Sequence, residues 1–464
     1  MPSPDAPAVP RAAAVWWLLL RKELRELAAS RSYWLLLLVV GALVGHAFLT
    51  AAATYAEASG GGGGPGALAQ GLNPLSGIVV PTLGAYDLAA TLLLPFVVIR
   101  LVASEKETGA LALMLQAPVR FGAVIAAKGV ALLVGWLVAG IPGLVALATW
   151  RAIGGHLYAP EVLVVALGHL LRGVLTIGIG AAAAALAASA ASAAIVALTV
   201  TLGGWALDYV GAARGGVLEA LAAYTPTATL RVFEQGEVRA GAVLVPLLLG
   251  GAGLAVAAAW LRTGRRTARR LAGVAAAVVV AAVTAAGATR VRASWDASED
   301  RRNSFSAADE IALRRIDAPL RVTAYLAAED PRLVDLERGV LAKLRRTLPS
   351  VDVRYVARGR SGLFERAEGH YGEVWYEIGG RRAMERSATE EIVLETIYRL
   401  AGVPDPQRRD EPAYPGYPFA GRPRWAPVLF FVLWPLVVAA AWWRSRRLSP
   451  RPRGVTASPA AALS

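Results

Sequence analysis

The sequence predicts an α-helical polytopic membrane protein that carries a small α/β domain near its C-terminal end. About eight apolar stretches have the length of a membrane-spanning helix, and the arginines collect in alternate connectors between them. Residues 290–424, by contrast, carry similar numbers of basic and acidic side chains and show alternating and helical hydrophobic patterns. We therefore expect a bundle of membrane spans that is interrupted by one folded soluble segment.

Each apolar stretch reaches or approaches the roughly 20 residues that an α-helix needs to cross the hydrocarbon core of a bilayer. Hydrophobic residues make up 56% of the chain and charged residues only 18%, a composition that excludes an ordinary soluble protein. The predicted spans are residues 34–54, 78–103, 121–150, 162–188, 190–210, 242–261, 271–288 and 426–443.

The basic residues predict the orientation of the spans. Lys and Arg are abundant in the N-terminal segment, in the connectors after the second and sixth spans and in the C-terminal tail, whereas residues 55–80 contain none. Connectors rich in Lys and Arg stay in the cytoplasm. We therefore expect a protein of the bacterial cytoplasmic (inner) membrane, with both termini in the cytoplasm and residues 290–425 outside it.

The net charge of +14 belongs mainly to the membrane part of the chain. It indicates topology and contact with anionic lipid, so we expect no nucleic-acid partner. The chain has 0 Cys, its 4 His lack a metal-binding spacing, and none of its lysines follows a glycine, as the lysine of a Walker phosphate-binding loop does. We therefore expect no enzyme activity and no metal or cofactor bound directly to this chain.

The N-terminal segment, residues 1–32, precedes the first span. An apolar patch at residues 15–20 is followed by charged residues 21–27, which include apolar residues at helical spacing. This pattern is typical of an interfacial helix that lies along the cytoplasmic surface. A helical extension of the first span is the alternative.

The pattern of the soluble segment predicts an α/β domain. Residues 321–326 and 351–356 alternate like strands, residues 331–348 and 389–400 are periodic like helices, and Gly379-Gly380 separates the two strands of a hairpin. Ser306 is expected to cap a short helix. The order of elements is that of a thioredoxin-like domain without redox cysteines, and a small unrelated sandwich is the alternative. The residues expected in its core are Val322, Ala324, Leu326, Val353 and Val356.

Ionisable residues inside membrane spans are candidates for function, because burial of a charge in lipid is costly unless the charge faces protein or water. Arg172 and His169 are three residues apart and share a helical face, and Asp87 and Asp208 join them as candidates for a translocation path. The alternative is that all four lie near the outer interface and snorkel. The small residues of 178–194 predict close helix packing, either within the chain or between subunits.

The connector after the second span resembles that of the ABC exporter permeases, the family that includes multidrug, polysaccharide and gliding-type transporters. It has an acidic pair, a Thr-Gly turn, a Leu-rich stretch, a proline and a lysine that opens the third span. Lys22-Glu23-Leu24, Tyr224-Thr225-Pro226 and Gly236-Glu237 are also similar to that family. Residues 302–306, 319–326 and 371–374 resemble the auxiliary subunit of gliding-type transporters, although the soluble domain here is shorter than the one common there.

The resemblance implies a permease that works with a separate ABC ATPase subunit, which holds ATP and Mg, and with a second permease copy or a related permease. Glu105 and Glu107 would offer charge to the ATPase surface, and the leucines would offer apolar anchors. A solvated interfacial loop is the alternative interpretation of the connector. The residues expected to couple to the ATPase are Glu105, Lys106, Glu107, Thr108, Gly109, Leu111, Leu113, Leu115, Pro118 and Lys128.

The expected function is export, or mechanical work on an extracytoplasmic partner, driven by ATP hydrolysis on the separate subunit. The soluble domain would bind a periplasmic protein or the substrate. A membrane-anchored scaffold or sensor that transports no solute is the alternative. The expected organisation is an interfacial helix (1–32), a six-helix permease unit (33–262), a basic cytoplasmic loop with the seventh helix (263–289), the extracytoplasmic domain and linker (290–425), the eighth helix (426–444) and a basic cytoplasmic tail (445–464).

Overall fold

Among the residues that the computed structural model describes, eight helices are long and apolar enough to cross a membrane. The structure describes residues 12–61, 72–107, 109, 121–214, 216–262, 264, 266–291, 293–327, 330–356, 370–406 and 414–448. We number the spans in chain order: Arg31–Gly60, Leu75–Ala103, Phe121–Ala152, Ala159–Leu186, Ala190–Gly211, Ala240–Trp260, Thr267–Ala288 and Ala426–Arg447. Each coincides with a predicted span, so the prediction of a helical polytopic membrane protein is confirmed.

The described residues also form shorter helices, five of which belong to the α/β domain. They are Ala12–Ala29, Gly216–Ala222, Pro226–Glu234, Ala307–Leu313, Pro331–Asp335, Leu336–Leu341, Ala342–Thr347 and Glu390–Ala401. Ser306 caps the fourth of them as predicted, because its hydroxyl accepts a hydrogen bond from the Asp309 backbone N–H at 3.1 Å.

The helix Ala12–Ala29 is separate from the first span. Ser30 has an extended backbone, with φ −74° and ψ 118°, and this ends the helix before Arg31 starts the next one. The helix packs mainly against the third span and also contacts the eighth. The alternative considered above, a helical extension of the first span, is therefore wrong.

The fourth and sixth spans cross at glycines. A Cβ atom added to Gly178 would lie 2.3 Å from the carbonyl oxygen of Gly250, and one added to Gly253 would lie 2.3 Å from that of Gly178. Backbones can approach this closely only where both helices lack side chains. The first part of the small-residue stretch therefore packs within the chain, one of the two alternatives considered above, while residues 188–191 are exposed.

The α/β domain is built on a four-stranded sheet. Its strands are β3 (Leu320–Ala324), β4 (Val351–Tyr355), β5 (Val374–Ile378) and β6 (Arg381–Glu385), in the order β4-β3-β5-β6. Strand β3 is parallel to β4 and antiparallel to β5, which forms a hairpin with β6. The hairpin turn is Gly379-Gly380, as predicted: both residues have positive φ, +57° and +83°, as this two-residue turn requires.

Helices cover one face of this sheet and form the core of the domain. Val322, Ala324 and Leu326 are buried as predicted, and Val353 is half-buried. Val356 is 43% exposed, so its prediction as a core residue is wrong. Successive strand residues point to opposite faces of a sheet. Because Tyr355 faces the core, the next residue, Val356, points to the other face. The described part of the domain is a single sheet with helices on one face, and it is not a sandwich of two sheets.

A second, two-stranded sheet joins the α/β domain to the membrane bundle. Strand β1 (Glu237–Arg239) precedes the sixth span and pairs antiparallel with β2 (Ser294–Asp296), which follows the seventh. Glu237 is fully buried, and Arg346 of the α/β domain donates a hydrogen bond to it at 2.5 Å. We call this end of the bundle the domain end, and the opposite end, where Lys22 lies, the basic end.

The segment before the eighth span lies across the domain end. Residues 414–422 have neither helix nor strand, as expected of an extended linker. The hydroxyl group of Tyr55 donates to the carbonyl of Tyr417 at 2.7 Å, and the Tyr417 hydroxyl donates to Glu299 at 2.8 Å. The linker therefore ties the first span to the α/β domain.

Candidate functional site

Charged side chains from three helices meet at the basic end. The helix Ala12–Ala29 supplies Lys22, Glu23 and Glu26, the helix that continues the second span supplies Glu105, and the start of the third span supplies Lys128. We call these five residues the ionic cluster. Lys22 and Glu26 are one helical turn apart, which places them on the same face of their helix.

Lys128 is the centre of the ionic cluster. Its Nζ lies 2.7 Å from Oε2 of Glu23 and 2.9 Å from Oε2 of Glu105. Glu23, Glu105 and Lys128 are 0%, 4% and 3% exposed. Because a buried charge is costly unless it is paired, these contacts hold the three helices in one arrangement.

Lys22 completes the cluster from its more exposed side. Its ammonium group lies 3.1 Å from Glu23 and 3.1 Å from Glu26, and it donates a hydrogen bond to Glu105. Burial alone would lower the pKa of Lys22, but the hydrogen bond to Glu105 and the nearby carboxylates raise it. Burial raises the pKa of Glu23, an effect that the two lysines oppose in part.

Carboxylate oxygens of Glu23, Glu26 and Glu105 lie within 4.8 Å of one another, a geometry that suits a cation. The ammonium groups of Lys22 and Lys128 already supply positive charge at this place. The arrangement is therefore an internal ion-pair network in which lysines neutralise the acidic groups.

The structure places the predicted coupling residues in different surroundings. Glu105 and Lys128 belong to the ionic cluster, Lys106 is exposed and donates to the carbonyl of Ala187 at 2.9 Å, and Gly109 is exposed with φ +69°. Glu107 ends its helix. Thr108, Leu111, Leu113, Leu115 and Pro118 lie outside the described residues.

The burial of Glu105 differs from the expectation that it offers its charge to a partner surface. Lysines from two neighbouring helices pair with its carboxylate inside the chain. A lysine in an apolar span requires an acidic partner. Lys128 was therefore the residue of the sequence that could have indicated a buried ion pair. Spacing along the chain does not show that Glu23 and Glu105 are both that partner.

A second polar group lies in the middle of the bundle. Nε of Arg172, in the fourth span, lies 3.2 Å from Oδ1 of Asp87, in the second. Thr91 accepts a hydrogen bond from Arg172 at 3.3 Å and donates one to Asp87 at 3.3 Å. Arg172 is only 3% exposed. The side chain of Arg172 is therefore paired inside the bundle, unlike a snorkelling side chain.

Arg172 and the neighbouring His169, three residues earlier in the fourth span, keep unused hydrogen-bonding atoms. Nη1 of Arg172 and both ring nitrogens of His169 have no hydrogen-bond partner among the described residues. His169 is 5% exposed, and its ring lies 5.7 Å from that of Tyr86, whose hydroxyl donates to the carbonyl of Trp136 at 2.9 Å. Buried polar atoms are normally paired, so these atoms mark a place that a further molecule can complete.

Asp208, the fourth predicted path residue, is not part of this group. It pairs with Arg231 at 2.5 Å near the domain end. Burial raises the pKa of Glu234, the charge of Asp87 adds to this, and Arg231 and Arg172 oppose it. Glu234 therefore lies within electrostatic reach of both pairs. Sequence reasoning missed Thr91, which is a common polar residue in spans, and Glu234, which lies outside them.

The fourth span also contacts the α/β domain directly. Glu161, at the start of this span, accepts a hydrogen bond from the backbone N–H of Glu299 at 3.0 Å. His156, just before the span, lies 2.9 Å from the Glu299 carboxylate and stacks on Tyr417. The span that carries Arg172 is thus anchored to the domain at one end.

Comparisons of the chain with protein-family models, with curated proteins and with solved structures find no match.

Proposed function

We propose that this chain is the membrane-spanning permease subunit of an ABC-type exporter, driven by ATP hydrolysis on a separate subunit. The observation that carries the proposal is the ionic cluster. It joins the helix Ala12–Ala29 to the two spans on either side of the connector 108–120, the segment that resembles the ATPase contact of such permeases. A movement of the connector would move these three helices together, because separating them would leave buried charges unpaired.

A continuous set of contacts leads from the ionic cluster towards the α/β domain. The second span carries Asp87 in its middle and continues to Glu105 at the basic end. Asp87 contacts Arg172 of the fourth span, which begins at the α/β domain with Glu161. Coupling between distant sites requires elements with two arrangements that both sites bias. We propose that the second and fourth spans are these elements.

We infer that the α/β domain is extracytoplasmic, since it follows the seventh span and the basic connectors lie at the opposite end of the bundle. Its strand order and directions, β4-β3-β5-β6 with only β3 and β4 parallel, are those of a thioredoxin-like sheet. With 0 Cys it has no redox pair. We propose that it binds a periplasmic protein or the exported substrate.

Purification of the tagged full-length chain from its native membranes tests the proposal. We expect it to recover an ATP-hydrolysing protein with the Gly-Lys-Ser/Thr loop that this chain lacks. Replacing Leu111, Leu113 and Leu115 together with serine should reduce the recovered ATP hydrolysis about tenfold or more, because apolar anchors dominate such contacts.

The matched control replaces two exposed apolar residues at the domain end, Val217 and Leu221, with serine. This variant should recover the ATPase as the unmodified chain does. If the unmodified chain recovers no such ATPase, the scaffold alternative is favoured. Undiminished recovery with the triple variant would show that the connector is not the contact.

Cysteine labelling tests the orientation in a chain that has 0 native Cys. Asp352→Cys lies on the exposed side of β4, and Ala29→Cys is exposed at the basic end. A membrane-impermeant thiol reagent should label Asp352→Cys in intact cells and Ala29→Cys only after the membrane is opened. The reverse result would invert the proposed topology.

A further inference from the structure

We propose that a cavity between the second, third and fourth spans binds an uncharged, largely apolar molecule with a hydroxyl group, and that His169 hydrogen-bonds to this hydroxyl. The cavity has a volume of about 110 Å³. An apolar cavity of roughly 150 Å³ in another protein stays dry and binds benzene. The space here therefore suits a short hydrocarbon segment or part of a ring.

The lining of the cavity disfavours a charged ligand. Its lining includes Leu83, Trp136, Leu144, Leu147 and Ala166, and among the residues that the structure describes no Asp, Glu, Lys or Arg contributes to it. A charged ligand group would find no counter-ion in this lining, which is costly within a membrane. The ligand is therefore uncharged.

His169 supplies the polar part of the site. Its ring lines the cavity, and neither ring nitrogen has a partner among the described residues. A neutral imidazole offers one donor and one acceptor. A hydroxyl group can pair with either nitrogen, whereas a pure hydrocarbon would leave both nitrogens unsatisfied.

The position of the cavity indicates where the ligand comes from. Leu137 and Leu144 line it and are 53% and 61% exposed on the surface of the third span. In a membrane protein this apolar surface faces lipid. A molecule that reaches the cavity therefore comes from the bilayer, which fits a long-chain alcohol better than a water-soluble metabolite.

Photolabelling of the full-length chain in lipid nanodiscs tests this inference without any ATPase, so its outcome is independent of the export proposal. The probe is a long-chain 1-alkanol with a photoreactive diazirine in its alkyl chain, and mass spectrometry locates the labelled residues. We expect saturable labelling within residues 136–147 or 162–170. The unlabelled alkanol should compete roughly two- to twelvefold better than the alkane of equal length, the difference that one hydrogen bond makes.

Variants separate the cavity from ordinary contact with lipid. His169→Leu should make alkanol and alkane compete equally. Ala166→Phe, which narrows the cavity, should abolish the saturable labelling, while Ala276→Phe on the exposed surface of the seventh span should not change it. Uniform, non-saturable labelling of the spans, or an alkanol preference that survives His169→Leu, would overturn the proposal. Absence of label at the cavity would likewise overturn the proposal.

Discussion

Replacing Lys128 with methionine is expected to destabilise the folded protein by about 3–5 kcal/mol, because it removes a buried cation that pairs with two buried carboxylates. Glu23 and Glu105 lie 2.7 and 2.9 Å from its ammonium group. Lys22 cannot replace it fully, since its side chain is 33% exposed and approaches from another direction. The loss should appear as a lower yield from membranes and a lower midpoint of thermal denaturation in a fixed detergent.

Two further variants test whether unpaired charge causes this loss of stability. Lys106→Met removes an exposed lysine from the same region and should change the stability by less than about 0.5 kcal/mol. Combining Lys128→Met with Glu23→Gln and Glu105→Gln removes the buried charges and should recover much of the loss. If Lys128→Met is as stable as Lys106→Met, or if the triple variant is no better than the single one, the ionic cluster does not hold these helices together.

The sequence was sufficient to predict the features that depend on local pattern. Every span is a predominantly apolar run, because a helix that crosses the hydrocarbon core must be largely apolar over about 20 residues. The boundaries differ by a few residues, as at the first span, which starts at Arg31 and not at Trp34. The hairpin was predictable because Gly379 and Gly380 provide the positive φ values that its turn requires.

The features that depend on distant contacts could not be predicted. The charges of Lys22, Glu105 and Lys128 are evident in the sequence, but only the packing of three helices shows that they pair with one another. Strands β1 and β2 have three residues each, too few for a periodic pattern. The sequence therefore predicted the elements of the membrane bundle well, and it predicted the composition of the candidate sites better than their arrangement.

Arg172→Met is expected to destabilise the bundle by about 3–5 kcal/mol, because it removes the charged partner of Asp87 between the helices and leaves the hydrogen bond from Thr91. The same measurement of thermal denaturation in detergent applies. The control is Arg231→Gln, which breaks the pair with Asp208. Arg231 has a 47% exposed side chain, so this change should cost less than about 1 kcal/mol.

The double variant Asp87→Leu with Arg172→Met distinguishes a structural role of this pair from a role in transport. It replaces both charges with apolar side chains and should restore most of the stability, since apolar replacement of a whole buried pair is often neutral or stabilising. If the pair belongs to a translocation path, the double variant should fold and recover the ATPase but show a loss of ATP-driven activity. A double variant that is both stable and fully active would show that the pair serves only helix packing, and it would remove Asp87 and Arg172 from the path.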